Sequence, residues 1–123
     1  MPAIAEFIAV TLDCPHPPAL ASFYATLTGG EITYDTAEAA AVRLPDGTNV
    51  NFQRVAGHSA PQWPGTDRPQ QFHLDFYVDD LGAAEAAVTE LGGGRPAFQP
   101  GGDRWVVLTD PAGHPFCACL RQR

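Results

Sequence analysis

The chain has 123 residues, 45% of them hydrophobic, and sets 7 Lys and Arg against 14 Asp and Glu for a formal charge of −7. That length suits one domain spanning 1–123, which buries roughly 65–70% of the surface its unfolded chain exposes and so holds a core without staples. The acidic balance argues against nucleic acid and against an anionic membrane as main partner, because each needs a basic footprint, while it is compatible with a cationic ligand.

The first β-prone run is Ile8–Asp13. A helix follows over Pro18–Leu27, where Leu20, Phe23, Tyr24 and Leu27 make an apolar stripe at i, i+3, i+4 and i+7. Pro17 and Pro18 suit its start, and Gly29 or Gly30 its exit. Extended pieces come next at Glu31–Tyr34, Ala39–Leu44 and Asn49–Val55, with hairpin chemistry at Pro45-Asp46-Gly47. A polar, Pro- and Gly-rich segment, about 56–70, then interrupts the pattern.

The order of elements then repeats. Leu74–Asp79 is a second β-prone run ending in Asp, and Leu81–Leu91 a second helix with the stripe Leu81, Ala84, Val88 and Leu91. Asp79 or Asp80 is placed to cap it, and Gly92 supplies the left-handed exit. Extended pieces follow at Ala97–Gln99, Arg104–Thr109 and Pro115–Arg121, with a turn at Pro111-Ala112-Gly113. The reading is an α+β protein with two βαβββ modules, about 4–55 and 71–121, and a mostly antiparallel sheet.

Cys14, Cys117 and Cys119 make no disulfide framework: the count is odd, and the last two are separated by one residue, too stretched in a strand for an unstrained bridge. No apolar run approaches bilayer length. Met1–Val10 contains Glu6 and no basic n-region, so it does not read as a signal peptide. The expected location is a reducing cytoplasm.

Two stretches, His73–Leu81 (HLDFYVDDL) and Trp105–Cys117 (WVVLTDPAGHPFC), carry a resemblance. A strand that opens with His and ends in Val-Asp-Asp, and an Asp-Pro-x-Gly turn into a last strand, resemble the vicinal oxygen chelate superfamily of glyoxalases, bleomycin-resistance proteins and ring-cleaving dioxygenases. Fainter versions lie at Asp13 through Phe23-Tyr24 and at Leu44–Phe52. The nearest look is to the small bacterial glyoxalase-like domain proteins. The resemblance implies curved sheets around a cleft, helices outside, and a homodimer. One fold of this kind hosts many chemistries, so function has to come from the site.

Strand parity sorts side chains by face. Leu74, Phe76 and Val78 should pack on helices and His73, Asp75 and Tyr77 should face the cleft; likewise Ile8, Val10 and Leu12 against Phe7, Ala9 and Thr11. In the last strands Val50, Phe52, Phe116, Ala118 and Leu120 go to the helices, leaving Asn51, Gln53, Cys117 and Cys119 inside. The expected ligand-binding set is Phe7, Thr11, Asn51, Gln53, His73, Asp75, Tyr77, Cys117 and Cys119, with Trp63 and Trp105 as aromatic walls and Trp63 alternatively a lid or a dimer contact.

Metal-using relatives, as the resemblance implies, hold a divalent ion with four His or Glu side chains, at positions matching Phe7, Asn51, His73 and Cys117. Phe7 has no donor atom, Asn51 is a weak neutral one, and a hard ion wants charged oxygen donors. No cofactor and no metal site is therefore expected. Any divalent metal would fall to His73 and Cys117, with Asp75 or Cys119 brought in; side chains two apart on one strand diverge, so joint ligation by His73 and Asp75 is expected to strain the site.

Asp75, flanked by apolar neighbours, must be paired, solvated or protonated. Its candidate partners are Arg43, Arg104, His73 or a cationic ligand group. His73 and Asp75 together are also the candidate general acid/base pair. The two late cysteines read as small buried strand residues with no feature to make a thiolate, and His114 as a turn residue. The leading expectation is a glyoxalase-like protein that binds a small, aromatic or cationic organic molecule in its cleft without a catalytic metal. The alternative is a lyase, isomerase or dioxygenase with a divergent metal site or the His73–Asp75 pair.

Overall fold

A computed structural model describes residues 3, 4 and 6–121. The chain divides into two compact units, Met1–His58 and Ser59–Arg123, the cut falling inside the polar connector. Unit one runs β1 (Ala9–Cys14), α1 (Pro17–Thr28), β2 (Glu31–Asp35), β3 (Ala39–Arg43) and β4 (Asn49–Arg54). Unit two runs β5 (Leu74–Val78), α2 (Leu81–Glu90), β6 (Trp105–Thr109) and β7 (Pro115–Leu120).

The sheet of unit one has the order β1-β4-β3-β2, with β1 parallel to β4 and the other two ladders antiparallel. A helical crossover is what lets β1 and β4 run parallel. Helix α1 carries prolines at its first positions and ends where Gly29 takes φ 74°, a left-handed turn open to glycine. It buries Pro17, Leu20, Ala21, Phe23 and Tyr24. The Tyr24 ring stacks on Phe52 of β4, centroids 5.5 Å apart, and Val42, Val50 and Leu12 complete this core. Leu27, expected in the buried stripe, is only half-buried; Ala21 takes the place on the sheet side.

In unit two β5 runs parallel to β7, and β7 antiparallel to β6. Asp80 caps α2, its carboxylate accepting from Ala83 N at 2.8 Å. This helix is rich in alanine, and Val88 is its one buried residue. It therefore covers less of its sheet than α1 does, and Leu74, Phe76 and Val78 stay half-buried. The turn before β7 is held by Asp110, which is 3% exposed and accepts from the backbone N–H groups of Ala112 (2.8 Å) and His114 (3.0 Å). The Asp of the Asp-Pro-x-Gly run thus closes an Asx turn, and His114 serves it through its backbone.

One expected strand is absent. Ala97–Gln99 forms no strand; the outer edge of β6 is closed instead by a loop. Gly94 and Thr109 exchange both backbone hydrogen bonds. Two residues along, the Gln99 side chain takes the place of a peptide: its Nε2 donates to Val107 O (2.8 Å) and its Oε1 accepts from Val107 N (2.8 Å). A single primary amide offers the donor and acceptor that a paired strand would present, so the edge is covered without a further strand.

Candidate functional site

Unit two holds an open cavity of about 580 Å³ lined by Asp75, Phe76, Tyr77, Trp105, Cys117, Cys119 and Leu120. Register explains most of that set. Asp75 pairs with Cys117 and Tyr77 with Cys119 across β5–β7, and Trp105 pairs with Cys119 across β6–β7. Partners in register share a face, and residues two apart return to it. The five side chains therefore gather on one side of a three-stranded sheet.

His73 sits one residue before β5. Its Nε2 lies 3.2 Å from Asp75 Oδ1, with both side chains substantially exposed. The divergence expected for side chains two apart does not occur. His73 precedes the paired stretch, and its imidazole spans the strand repeat toward the carboxylate. Cys117 is the register partner of Asp75 across β5–β7, which sets its thiol beside the carboxylate. Arg43, one of the arginines offered for Asp75, pairs with its own register partner Glu31 at 3.5 Å. Potential ligand atoms of His73, Asp75 and Cys117 all lie within 4.8 Å of one another.

Burial first, then the Asp75 charge and its hydrogen bond, push the Cys117 thiol up to about 12. Cys119 is raised as well, by burial and then by Asp75. Both therefore stay protonated at neutral pH, and the bare site holds no thiolate nucleophile.

The remaining expected positions are not among the residues that line this cavity. Thr11, Asn51 and Gln53 belong to unit one, where Thr11 pairs with Asn51 and Asp13 with Gln53. Phe7 precedes β1 and is 75% exposed. Trp63 does not line the cavity; its ring rests against Phe98 at 5.6 Å. Leu120, expected on the helix side, lines the cavity at the end of β7, and Phe76 does so while its ring meets Phe116 edge-on at 5.7 Å. Sequence reading also missed Arg121. Its guanidinium stands 5.0 Å from the centre of the Tyr77 ring, with Nε 3.7 Å from Asp79. Val78 and Leu120 are register partners, so the opposite charges at 79 and 121 fall side by side just past the ladder. The alternation of sign at those two positions was the available signal.

Residues 9–119 match the glyoxalase-like domain family. The chain belongs to that family. Among curated proteins, CFP32 of Mycobacterium bovis and of Mycobacterium tuberculosis, a provisional glyoxylase by name, is 32% identical over 103 residues, 81% of this chain. The chain spans only 38% of the length of that relative. Among the solved structures that share the fold, three illustrate the likeness. The fosfomycin resistance protein FosX of Listeria monocytogenes has a TM-score of 0.70 at 14% identity, covering 98% of this chain and 96% of its own. A glyoxalase-related enzyme of Fulvimarina pelagi has a TM-score of 0.67 at 20% identity, covering 96% and 89%. A glyoxalase/bleomycin resistance protein of Albidiferax ferrireducens T118 has a TM-score of 0.64 at 22% identity, covering 94% and 98%.

This glyoxalase-like chain does not fit the four-ligand metal of its metal-using relatives. Register sets Thr11 opposite Asn51 as it sets Asp75 opposite Cys117, so Ala9 rather than Phe7 matches His73; alanine carries no donor and Asn51 only a neutral amide, so two of the four matching positions supply no anionic or imidazole ligand. No helix among the described residues is long and apolar enough to cross a membrane.

Proposed function

We propose that this glyoxalase-like protein binds a small organic molecule, cationic and aromatic, in the cavity of unit two, and that it does so without a catalytic metal. The observation that carries the reading is the composition of the wall. Its one formally charged residue is Asp75, with Tyr77 and Trp105 on the same face. A lone carboxylate beside aromatic rings suits a ligand that joins a positive charge to a flat apolar body. The Arg121 guanidinium over Tyr77 is an internal instance of the same contact. The 3.2 Å His73–Asp75 pair supports a second reading, in which it serves as general base for a lyase or isomerase.

The test is a thermal-shift series with chelator present, comparing a benzyl trialkylammonium compound with its uncharged carbon isostere. Stabilisation by the cation alone is expected, with affinity about tenfold weaker in Asp75→Asn, the low end for a charge-assisted contact at an exposed carboxylate. Equal stabilisation of wild type and Asp75→Asn would remove the role given to Asp75. Turnover lost in both His73→Ala and Asp75→Asn would favour the second reading.

A further inference from the structure

The Arg121 guanidinium stands at one end of the cavity face. β5 and β7 present that face in rows: Asp75 beside Cys117, then Tyr77 beside Cys119. The Arg121 N–H donates to Val78 O at 3.2 Å, so the ladder runs on past both strands and residues 79 and 121 make the next row. The Arg121 side chain folds back along the face, its guanidinium carbon 5.0 Å from the centre of the Tyr77 ring. Tyr77 lines the cavity, so the guanidinium resting on it stands at the rim.

We propose that Arg121 binds an acidic group of the ligand, so that the molecule held by unit two is dipolar: a flat ring with a positive head and, at its far end, a carboxylate or similar anion. The positive head rests on the reading of the cavity as a site for an aromatic cation; the anion contact rests on Arg121 alone.

The first support is an unengaged fork. Asp79 approaches the Nε edge of the guanidinium at 3.7 Å, too long for a hydrogen bond, with both side chains more than half exposed. An exposed pair of that length contributes little. Among the described residues no acceptor takes a hydrogen bond from Nη1 or Nη2. Those two terminal groups are the pair that grips a carboxylate bidentately. The second is confinement. The backbone bond to β5, the Tyr77 ring and the Asp79 charge already restrict the arginine stem, so less freedom is lost when an anion arrives. The third is span. Two strand repeats, about 13 Å, separate the rows of Asp75 and Arg121, less the length by which the arginine folds back. A single six-membered ring with a charged group at each end, and a hydrogen bond at each tip, fills that interval.

Arg121 therefore sorts ligands. A plain cation gains nothing from it and is repelled by its charge at short range, whichever face of Tyr77 the ligand takes. A ligand that adds an acid at the far end turns the same charge into an attraction.

The experiment follows three probes on the full chain by NMR titration with chelator present: benzyltrimethylammonium, its 4-carboxy derivative, and 4-methylbenzoate, which keeps the acid and lacks the cation. In the wild type the 4-carboxy compound should bind about tenfold tighter than benzyltrimethylammonium, the low end for a charge-assisted hydrogen bond. Arg121→Gln should abolish that advantage while binding the plain cation at least as well as wild type, a crossed effect that lost packing on Tyr77 does not produce. Circular dichroism reports whether the variant folds. A 4-carboxy group that brings no gain, or a gain that survives Arg121→Gln, would overturn the assignment. The cationic reading fails separately. If benzyltrimethylammonium does not bind, or binds Asp75→Asn equally, while 4-methylbenzoate binds the wild type and not Arg121→Gln, the anion contact stands and the positive head is lost. If 4-methylbenzoate ignores Arg121 as well, both fall.

Discussion

Replacing Gln99 by leucine tests whether a side-chain amide truly stands in for a strand. The wild-type amide makes three hydrogen bonds, to Val107 O (2.8 Å), from Val107 N (2.8 Å) and to Pro96 O (2.9 Å). Leucine keeps the volume and removes all three. Val107 is 2% exposed, so its N–H and C=O lose their partners where water reaches them poorly. A buried unsatisfied polar group costs about 1–3 kcal/mol. Two such groups, eased by partial hydration at an edge, make a loss of about 2–4 kcal/mol, or a drop of roughly 8–16 °C in Tm at about 4 °C per kcal/mol for a chain of this size. Gln99→Glu sharpens the test. At neutral pH its carboxylate accepts from Val107 N but faces the two carbonyls without a proton to donate. Its deficit should equal or exceed that of leucine, then shrink as pH falls and the carboxyl protonates. Urea denaturation gives the free energies, and amide hydrogen exchange at Val107 gives the local answer. A loss below about 0.5 kcal/mol, the range of an inert surface change, together with unchanged protection at Val107, would refute the strand-substitution account.

Gly101→Ala should displace the indole that walls the cavity, because a Cβ at 101 would collide with the carbonyl and ring of Trp105; a shifted tryptophan emission with weakened ligand binding is expected, and an unchanged spectrum with unchanged affinity would contradict it. Cys117 and Cys119 should alkylate slowly in the folded, metal-free chain at pH 7–8 and fast once it is unfolded, since both thiols are raised above their ordinary value of 9.0. The unfolded chain loses the Cys117 proton near 9.0 and the folded chain only near 12, so the unfolded state binds fewer protons in that window and stability falls as pH rises from about 9 toward 12. Stoichiometric labelling of Cys117 at pH 7 without unfolding would contradict both statements.

Much of this protein is written locally. Helix stripes, the Asp80 cap, the Gly29 exit and the Asx turn at Asp110 depend on residues within a few positions of each other, so the chain order and the α+β class were legible from one sequence. Parity within a strand is equally local, which is why Asp75 and Tyr77 could be separated from Leu74, Phe76 and Val78. What lay beyond reach were contacts across long sequence separations. Nothing near residue 99 announces that its amide completes the edge of β6, because the pattern there looks like any short extended piece. Nothing near residue 75 says that Arg43 is spent on Glu31 and that Cys117 and His73 come to the carboxylate instead. Those outcomes depend on strand register, and register is fixed by how whole elements pack. The sequence by itself determined the alternation along each strand; only the folded chain decided which strands pair and that Phe76 and Leu120, helix-side by parity, also reach the cavity, since side chains distant in sequence become neighbours only when the ladder between their strands has closed.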